Sequence, residues 1–270
     1  MTRALVTNDD GIDAPGLHAL ARAALEAGLD VVVAAPAVQS SGSSASITAS
    51  EADGRIQVET RAIEGLEGVP AYAVHGGPGL IALIASRGAF GEPADLVLSG
   101  VNHGANVGRA ILHSGTVGAA LTAGLNGAWG VAASLDVGLR PVELHWPTAA
   151  AEVVDLLPWL LGRPRGTVLN VNVPNTDAPR GVVEARLAPF GVVQTTLVEH
   201  EEQFIRLAVE DLPAMPEPGT DAAYLGAGWV TVTGLVSVSD MRIGLTGVRE
   251  ESGRRGRHAR SPEPDLSRAG

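Results

Sequence analysis

Over the first 135 residues, short apolar runs alternate with stretches whose apolar positions recur three and four residues apart, the pattern of a parallel sheet wrapped by helices. Ala4–Thr7 reads as a strand, and Leu17, Leu20, Ala21, Ala24 and Leu25 then follow at helical spacing until Gly28 closes the helix. Val31–Ala35 reads as a buried strand ended by Pro36, and it leads into the Ser/Gly-rich stretch Ser40–Ser46. Further strands are predicted at Ala71–Val74, at Asp95–Ser99 and near Val131–Ala133. Helices are predicted over Leu80–Ser86 and from about Thr116, the second preceded by a Gly/Asn-rich loop from Gly100 to Gly115. Ala149–Leu161 then reads as a helix and Val168–Val173 as a strand stopped by Pro174. From about Arg186 to Ser239 the pattern becomes one of β hairpins and loops, with Val230–Thr233 and Val236–Ser239 alternating as strands of this excursion and Pro213, Pro216 and Pro218 marking a linker or excursion. The last stretch, from about Glu250, is rich in Arg, Gly and Pro and poor in apolar residues, so a solvated, disordered tail is expected over 250–270.

Composition narrows the possible functions. A chain of 270 residues that is 45% hydrophobic and 18% charged buries a large core, in one large domain or two intimately joined ones. With no cysteine, disulfide frameworks, thiolate catalysis and zinc ribbons are excluded, and any metal must use oxygen or imidazole ligands. No run approaches the roughly 18 apolar residues that span a bilayer, and no basic segment precedes an apolar one at the N-terminus, so a soluble, cytoplasmic protein with no membrane partner is expected. The formal net charge of −11 opposes a nucleic-acid polymer as main partner. A small anionic substrate therefore needs a local countercharge. All basic side chains are Arg, which reflects coding composition.

In an open parallel sheet, ligands bind outside the carboxyl ends of the strands. The residues expected there are Asp9 and Asp10 after the first strand, the hydroxyls Ser40, Ser41, Ser43 and Ser44 after the second, and Asn102, His103 and Asn106 after the Asp95 strand. Adjacent carboxylates repel unless a cation or hydrogen-bond donors compensate, and no basic residue lies near them in sequence. Asp-Asp-Gly is also an ordinary solvated turn. A hard divalent cation, Mg²⁺ or Mn²⁺, would fit a set made of Asp9, Asp10, one loop serine and Asn102. His113-Ser114-Gly115-Thr116 precedes a small-residue helix; Ser114 or Thr116 reads as an N-cap, and free N–H groups there would suit an anion. A cation on one side of a rim and an anion cradle on the other point to metal-assisted hydrolysis of a phosphate ester.

Val6-Thr7-Asn8-Asp9-Asp10-Gly11, Ala35-Pro36 with Ser41 and Ser46-Ile47-Thr48, the segment from Ser99 to Gly108, Ile111 through Val117, and Leu169-Asn170-Val171-Asn172-Val173-Pro174 together resemble the SurE family of nucleotidases, survival protein E. The matches keep the family's order and run to about residue 175; Trp229–Ser239 resembles the family's last strand only loosely. The resemblance implies a Rossmann-like, doubly wound, mostly parallel α/β core over 1–175 and a β-rich extension over 176–249 used in oligomerisation, as a homodimer or homotetramer. The stretch 176–249 is also expected to hold the closing strands of the fold. The resemblance further implies a divalent-cation-dependent phosphatase acting on nucleoside 5′- and 3′-monophosphates. Carried over, the single cation would be held by Asp9, Asp10, Ser41 and Asn102, with Asp9, Asp10 and Asn102 as the catalytic set. Asn8, Asn106, Ser114, Gly115 and Thr116 would line the phosphate site. The expected chemistry is a cation that polarises the phosphoryl oxygen and activates a water for in-line attack, oriented by Asp9 or Asp10. Asn106 and the N–H groups near Ser114–Thr116 would stabilise the developing charge.

Gly76-Gly77-Pro78-Gly79-Leu80 stands where the family shows a Gly-Thr-Pro-like turn with an acid and a cysteine. Leu187–Gly191 and the acidic Glu199–Glu202 replace a polar, basic segment, so the walls around the nucleoside differ. The alternatives are the same chemistry on sugar phosphates or other small phosphate esters, or a non-catalytic nucleotide-binding module. A dinucleotide-binding dehydrogenase does not fit, because no Gly-x-Gly-x-x-Gly follows the first strand. A haloacid-dehalogenase-type phosphatase needs one residue between its two aspartates, and Asp9 and Asp10 are adjacent. His103 and His113 read as packed or hydrogen-bonded structural residues, and Trp129, Trp146, Trp159 and Trp229 as packing anchors outside the site.

Overall fold

The computed structural model describes residues 1–47, 51–52, 55–138, 143–189, 193–200, 205–211 and 216–241, with backbone alone for 51–52, 193–200 and 205–211. Residues 1–238 form one compact unit; of a second, 239–270, only residues up to Met241 are described. Thr48, Pro213 and the tail expected beyond Glu250 lie outside the described residues.

The strands are β1 (Arg3–Thr7), β2 (Asp30–Pro36), β3 (Glu51–Ala52), β4 (Arg55–Ile56), β5 (Val58–Arg61), β6 (Ala71–Val74), β7 (Leu96–His103), β8 (Trp129–Asp136), β9 (Val168–Pro174), β10 (Val182–Glu184), β11 (Val193–His200), β12 (Ile205–Asp211) and β13 (Val230–Leu235). The helices are α1 (Pro15–Glu26), α2 (Pro78–Ala85), α3 (Gly115–Leu125), α4 (Trp146–Asp155), α5 (Leu157–Leu161) and α6 (Asp221–Gly226), with a 3₁₀ turn over Gly108–His113. Nine strands form one sheet in the order β10-β13-β9-β8-β7-β1-β2-β6-β5. Its centre, β9 to β6, is parallel throughout, and β5 and β13 pair antiparallel at its two flanks. This is a doubly wound, mostly parallel α/β fold.

Alternation along the strands divides the core between the two faces of the sheet. Ala4, Val6, Val31, Val33, Leu96, Leu98, Val131 and Ala133 pack with Leu17 and Leu20 of α1, Val153 of α4 and Leu160 of α5. On the opposite face Leu5, Val32, Ala34 and Val97 pack with Ile81 of α2 and Ala123 of α3. Sequence order runs outward from β1 in both directions, through β2 and β6 on one side and β7, β8 and β9 on the other. The crossovers therefore diverge between β1 and β7, opening a crevice at the carboxyl ends of those two strands.

Three expectations need correction. The predicted helix Ala149–Leu161 is two helices: Pro158 offers no N–H to the carbonyl of Val154 and its ring crowds that carbonyl, so the axis breaks at Leu156. β13, expected in the excursion, pairs with β9, because Val230, Thr231 and Thr233 are buried there. Val236–Ser239, read as a strand by its alternation, is not one; Val236 and Val238 are 84% and 86% exposed. The hairpin β11–β12 does form, as a two-stranded sheet of its own. Among the described residues, no helix is long and apolar enough to cross a membrane.

Candidate functional site

β1 carries its buried apolar run to Thr7, and the chain then turns over Asn8–Gly11. The Asn8 side chain closes that turn, accepting from the Gly11 N–H at 3.1 Å and donating to the Gly11 carbonyl at 3.0 Å. Asn8 is fully buried, so its polar atoms are spent on holding the two aspartates in place. The next carboxylate, Asp9, is 5% exposed. It meets the start of α3, where the Thr116 hydroxyl donates to Oδ1 at 2.6 Å and the Thr116 N–H to Oδ2 at 3.2 Å. Burial pushes the Asp9 carboxyl above the ordinary carboxylate value; the Thr116 bond opposes this, and the charge of Asp10 adds to it. Asp10 accepts from the His103 N–H at 3.0 Å, which ties the turn after β1 to the end of β7.

The N-terminus of α3 thus already holds an anion, the Asp9 carboxylate. Ser114 is the N-cap, its hydroxyl accepting from the Val117 N–H at 3.2 Å, and Thr116 is fully buried. Thr116, expected from sequence at the phosphate site, has its hydroxyl and N–H on Asp9, because the small residues of α3 let the helix pack directly on the turn after β1. A Cβ on Gly118 would lie 2.3 Å from the Ser44 carbonyl oxygen, so the serine loop rests on the helix backbone.

Asn102 and Asn106 are placed by β7 and its neighbours. The register of β7 against β8 shifts between Ser99 and Asn102, so the strand runs on into the segment read from sequence as loop. Asn102 donates from Nδ2 to the Gly104 carbonyl at 2.7 Å, leaving its own amide oxygen for the cleft. Asn106 is held on three sides. Its N–H donates to Asn172 Oδ1 at 2.8 Å, its carbonyl accepts from Asn170 and Asn172 Nδ2, and its Nδ2 donates to the Ser134 hydroxyl at 2.9 Å. The paired asparagines of Leu169–Pro174 thereby act on the loop rather than on a ligand. Asp221, fully buried at the start of α6, accepts from the N–H groups of Gly108, Ala188 and Ala222, each at 2.8 Å, and so anchors the far end of the same loop.

Asp9, Asp10, Ser41, Asn102, Asn106 and Ser114 line one cleft of about 370 Å³. Gln39, His103 and His113 also line it. Ser40 does not; its Oγ is 3.8 Å from where a Cβ on Gly77 would lie, whereas Ser41 lines the cleft together with the carboxylates. Gln39 donates to Ser41 Oγ at 3.0 Å. Among the described residues no group of three or more His, Cys, Asp or Glu is set to hold a metal. Two carboxylates with neutral oxygens are nonetheless a donor set that suits Mg²⁺ or Mn²⁺, which usually bind one or two carboxylates and keep several waters. Ser43 Oγ, buried and without a hydrogen-bond partner, stands beside this set: a Cβ on Gly115 would lie 2.5 Å from it and 2.9 Å from Asp9 Oδ2.

Several residues stand elsewhere than their sequence reading placed them, or drew no reading at all. His103 and His113, expected to be packed or hydrogen-bonded, are exposed on the cleft wall. Trp146, expected to lie outside the site, borders an adjoining cleft. Gln39 and Asp221 gave no motif, although Thr220-Asp221 carries the signal of a helix start, and Thr220 does cap α6.

The family model described as Survival protein SurE matches residues 4–195. A curated relative from Methanopyrus kandleri, named 5′-nucleotidase SurE, is 37% identical over 248 residues, covering 87% of this chain and 91% of its own. A relative of the same name from Rhodopseudomonas palustris is 35% identical over 250 residues, covering 86% and 92%. The crystal structure of the SurE protein from Aquifex aeolicus superposes with a TM-score of 0.71 at 30% identity, covering 86% of this chain and 92% of that one.

Proposed function

The chain belongs to the SurE family, and from that premise we propose that it is a nucleotidase that releases phosphate from nucleoside 5′- and 3′-monophosphates with the help of one divalent cation. The observation that carries this reading is the convergence of Asp9, Asp10, Ser41, Asn102 and Asn106 on one cleft from the ends of β1, β2 and β7. A cation held by Asp9, Asp10, Ser41 and Asn102 would supply Lewis-acid stabilisation and an acidified water.

The remaining work falls to the protein's own groups. Thr116 holds Asp9 in one orientation, and the His103 N–H does the same for Asp10. Asp10, the more exposed of the two, is the group placed to orient an attacking water and accept its proton. The Gly115 N–H is a first-turn donor of α3 that neither Asp9 nor the Ser114 hydroxyl takes up, and the positive end of the helix would favour charge developing on the equatorial oxygens. His113 stands at the cleft as a donor for the leaving oxygen. Asn106, fixed by Ser134, Asn170 and Asn172, presents its amide to the phosphate without reorganising.

Phosphate release from a panel of nucleoside monophosphates and sugar phosphates, each with Mg²⁺, Mn²⁺ or excess chelator, tests the proposal. Nucleotides are expected to be the better substrates, and chelator to abolish turnover. Activity undiminished in chelator would remove the cation from the scheme, and sugar phosphates outrunning every nucleotide would reassign the substrate.

The same reading includes a cytoplasmic location and assembly into a homodimer or homotetramer through the β11–β12 hairpin, whose strands pair only with each other among the described residues. Light scattering is expected to give a dimer or tetramer mass for the full chain and for a chain ending at Arg249. A monomer mass for the full chain rejects the assembly.

A further inference from the structure

Beside the phosphate cleft lies a second of about 390 Å³, and the two share Asp10, Gln39 and His103. The rest of its wall carries the apolar side chains of Ile12, Val38, Leu144 and Trp146, with the exposed carboxylate Asp13 among them. Trp146 opens α4, and its ring packs against Gly16, where an added Cβ would come within 2.9 Å of it. The ring centroids of His103 and Trp146 are 6.1 Å apart, with the planes inclined at 46°. His103 is tethered through its own N–H to Asp10, so its ring stands at the boundary between the two clefts.

Resting on the nucleotidase reading, we infer that this second cleft is the nucleoside subsite and that Trp146 is a specificity-determining residue, offering its ring face to the base. A phosphate ester anchored at Asp10 carries its leaving group on a short covalent tether, so that group must occupy space continuous with the phosphate cleft. The sharing of Asp10, Gln39 and His103 gives that continuity. A nucleobase has flat apolar faces and polar edges. A wall of two aromatic rings and aliphatic side chains at the rim of an otherwise polar cleft matches that chemistry. Ribose phosphate alone would reach the boundary at His103 and leave the Trp146 wall wet. Among the described residues no Arg lines either cleft and the charges of the second are the carboxylates Asp10 and Asp13, so recognition of a base on this side rests on ring contact rather than on a countercharge.

The readout is the ratio of kcat/KM for adenosine 5′-monophosphate to that for ribose 5-phosphate, since a loss of active protein cancels in it. Trp146→Leu keeps an apolar side chain and removes the aromatic face, and the ratio is expected to fall about tenfold or more, the scale of one base–aromatic stack. Val38, 76% exposed, allows a second variant that does not touch the core. Val38→Glu places a carboxylate on the same wall and is expected to lower the ratio in the same direction. A parent protein that prefers the nucleotide, with a ratio unmoved by both substitutions, overturns the subsite alone. A parent that turns over ribose 5-phosphate and no nucleotide overturns the nucleotidase reading and the subsite with it.

Discussion

Asp10→Asn is expected to lower turnover of every phosphate ester by about a thousandfold or more, roughly 4 kcal/mol of transition-state stabilisation, while the fold survives. The substitution is nearly isosteric, and the Asn side-chain oxygen can still accept the His103 N–H that Asp10 accepts at 3.0 Å, so the tie between β1 and β7 persists. It removes one of only two negative charges in the cleft. A site completed by the neutral oxygens of Ser41 and Asn102 cannot replace that charge, and cation affinity falls together with the capacity to orient and deprotonate water. Asp9 and Asp10 repel one another without a cation, so the cation-free variant should melt at the parent's temperature or above it. Steady-state kinetics over a cation titration, with a melting curve, measures both. A variant within tenfold of the parent at saturating Mg²⁺ would show that Asp10 is not a ligand.

Gly115→Ala is expected to cost about a hundredfold in kcat/KM, and Gly115→Val more, because both force the Asp9 carboxylate out of position. A Cβ at residue 115 would lie 2.5 Å from Ser43 Oγ, 2.9 Å from Asp9 Oδ2 and 3.0 Å from Asp9 Cβ. Ser43 can rotate away. Asp9 cannot, since both its carboxylate oxygens are bonded to Thr116 on the very helix that carries the intruding group. From sequence alone, a bulky residue here would obstruct the phosphate and leave the cation undisturbed. The packing of α3 on Asp9 changes that expectation: cation affinity should weaken along with catalysis, and overpacking should cost about 1–3 kcal/mol of stability. Calorimetric titration of the cation into the Ala variant separates the two accounts, and parent-like affinity with parent-like kinetics would place the chemistry away from α3.

The strand-and-helix alternation that builds the sheet was legible in the sequence because each buried strand of a parallel sheet must be apolar on both faces. Ala4–Val6 and Val31–Ala35 meet that demand locally, while Val168–Val173 meets it on one face only, with Asn170 and Asn172 on the other. Asp9, Asp10 and Asn102 were legible for a related reason: polar residues following such strands fall at the crevice where the topology diverges. Helix breaks and strand membership were harder. Pro158 stands inside an otherwise unbroken apolar pattern, and the alternation of Val230–Thr233 fits a hairpin as well as the main sheet until β9 offers an edge to pair with.

The division of labour within the site came only from tertiary structure. Thr116 donates to Asp9, Asn170 and Asn172 hold Asn106, Asp221 anchors the loop from another helix, and Trp146 lines the adjoining cleft from the start of α4. Each is a hydrogen bond or contact between residues at least 43 positions apart in the chain, as 146 is from 103. Local periodicity and spacing record which face a residue must bury and where an element ends. They carry no information about which distant partner satisfies a polar group, because that is fixed only when the sheet order brings the strand ends together.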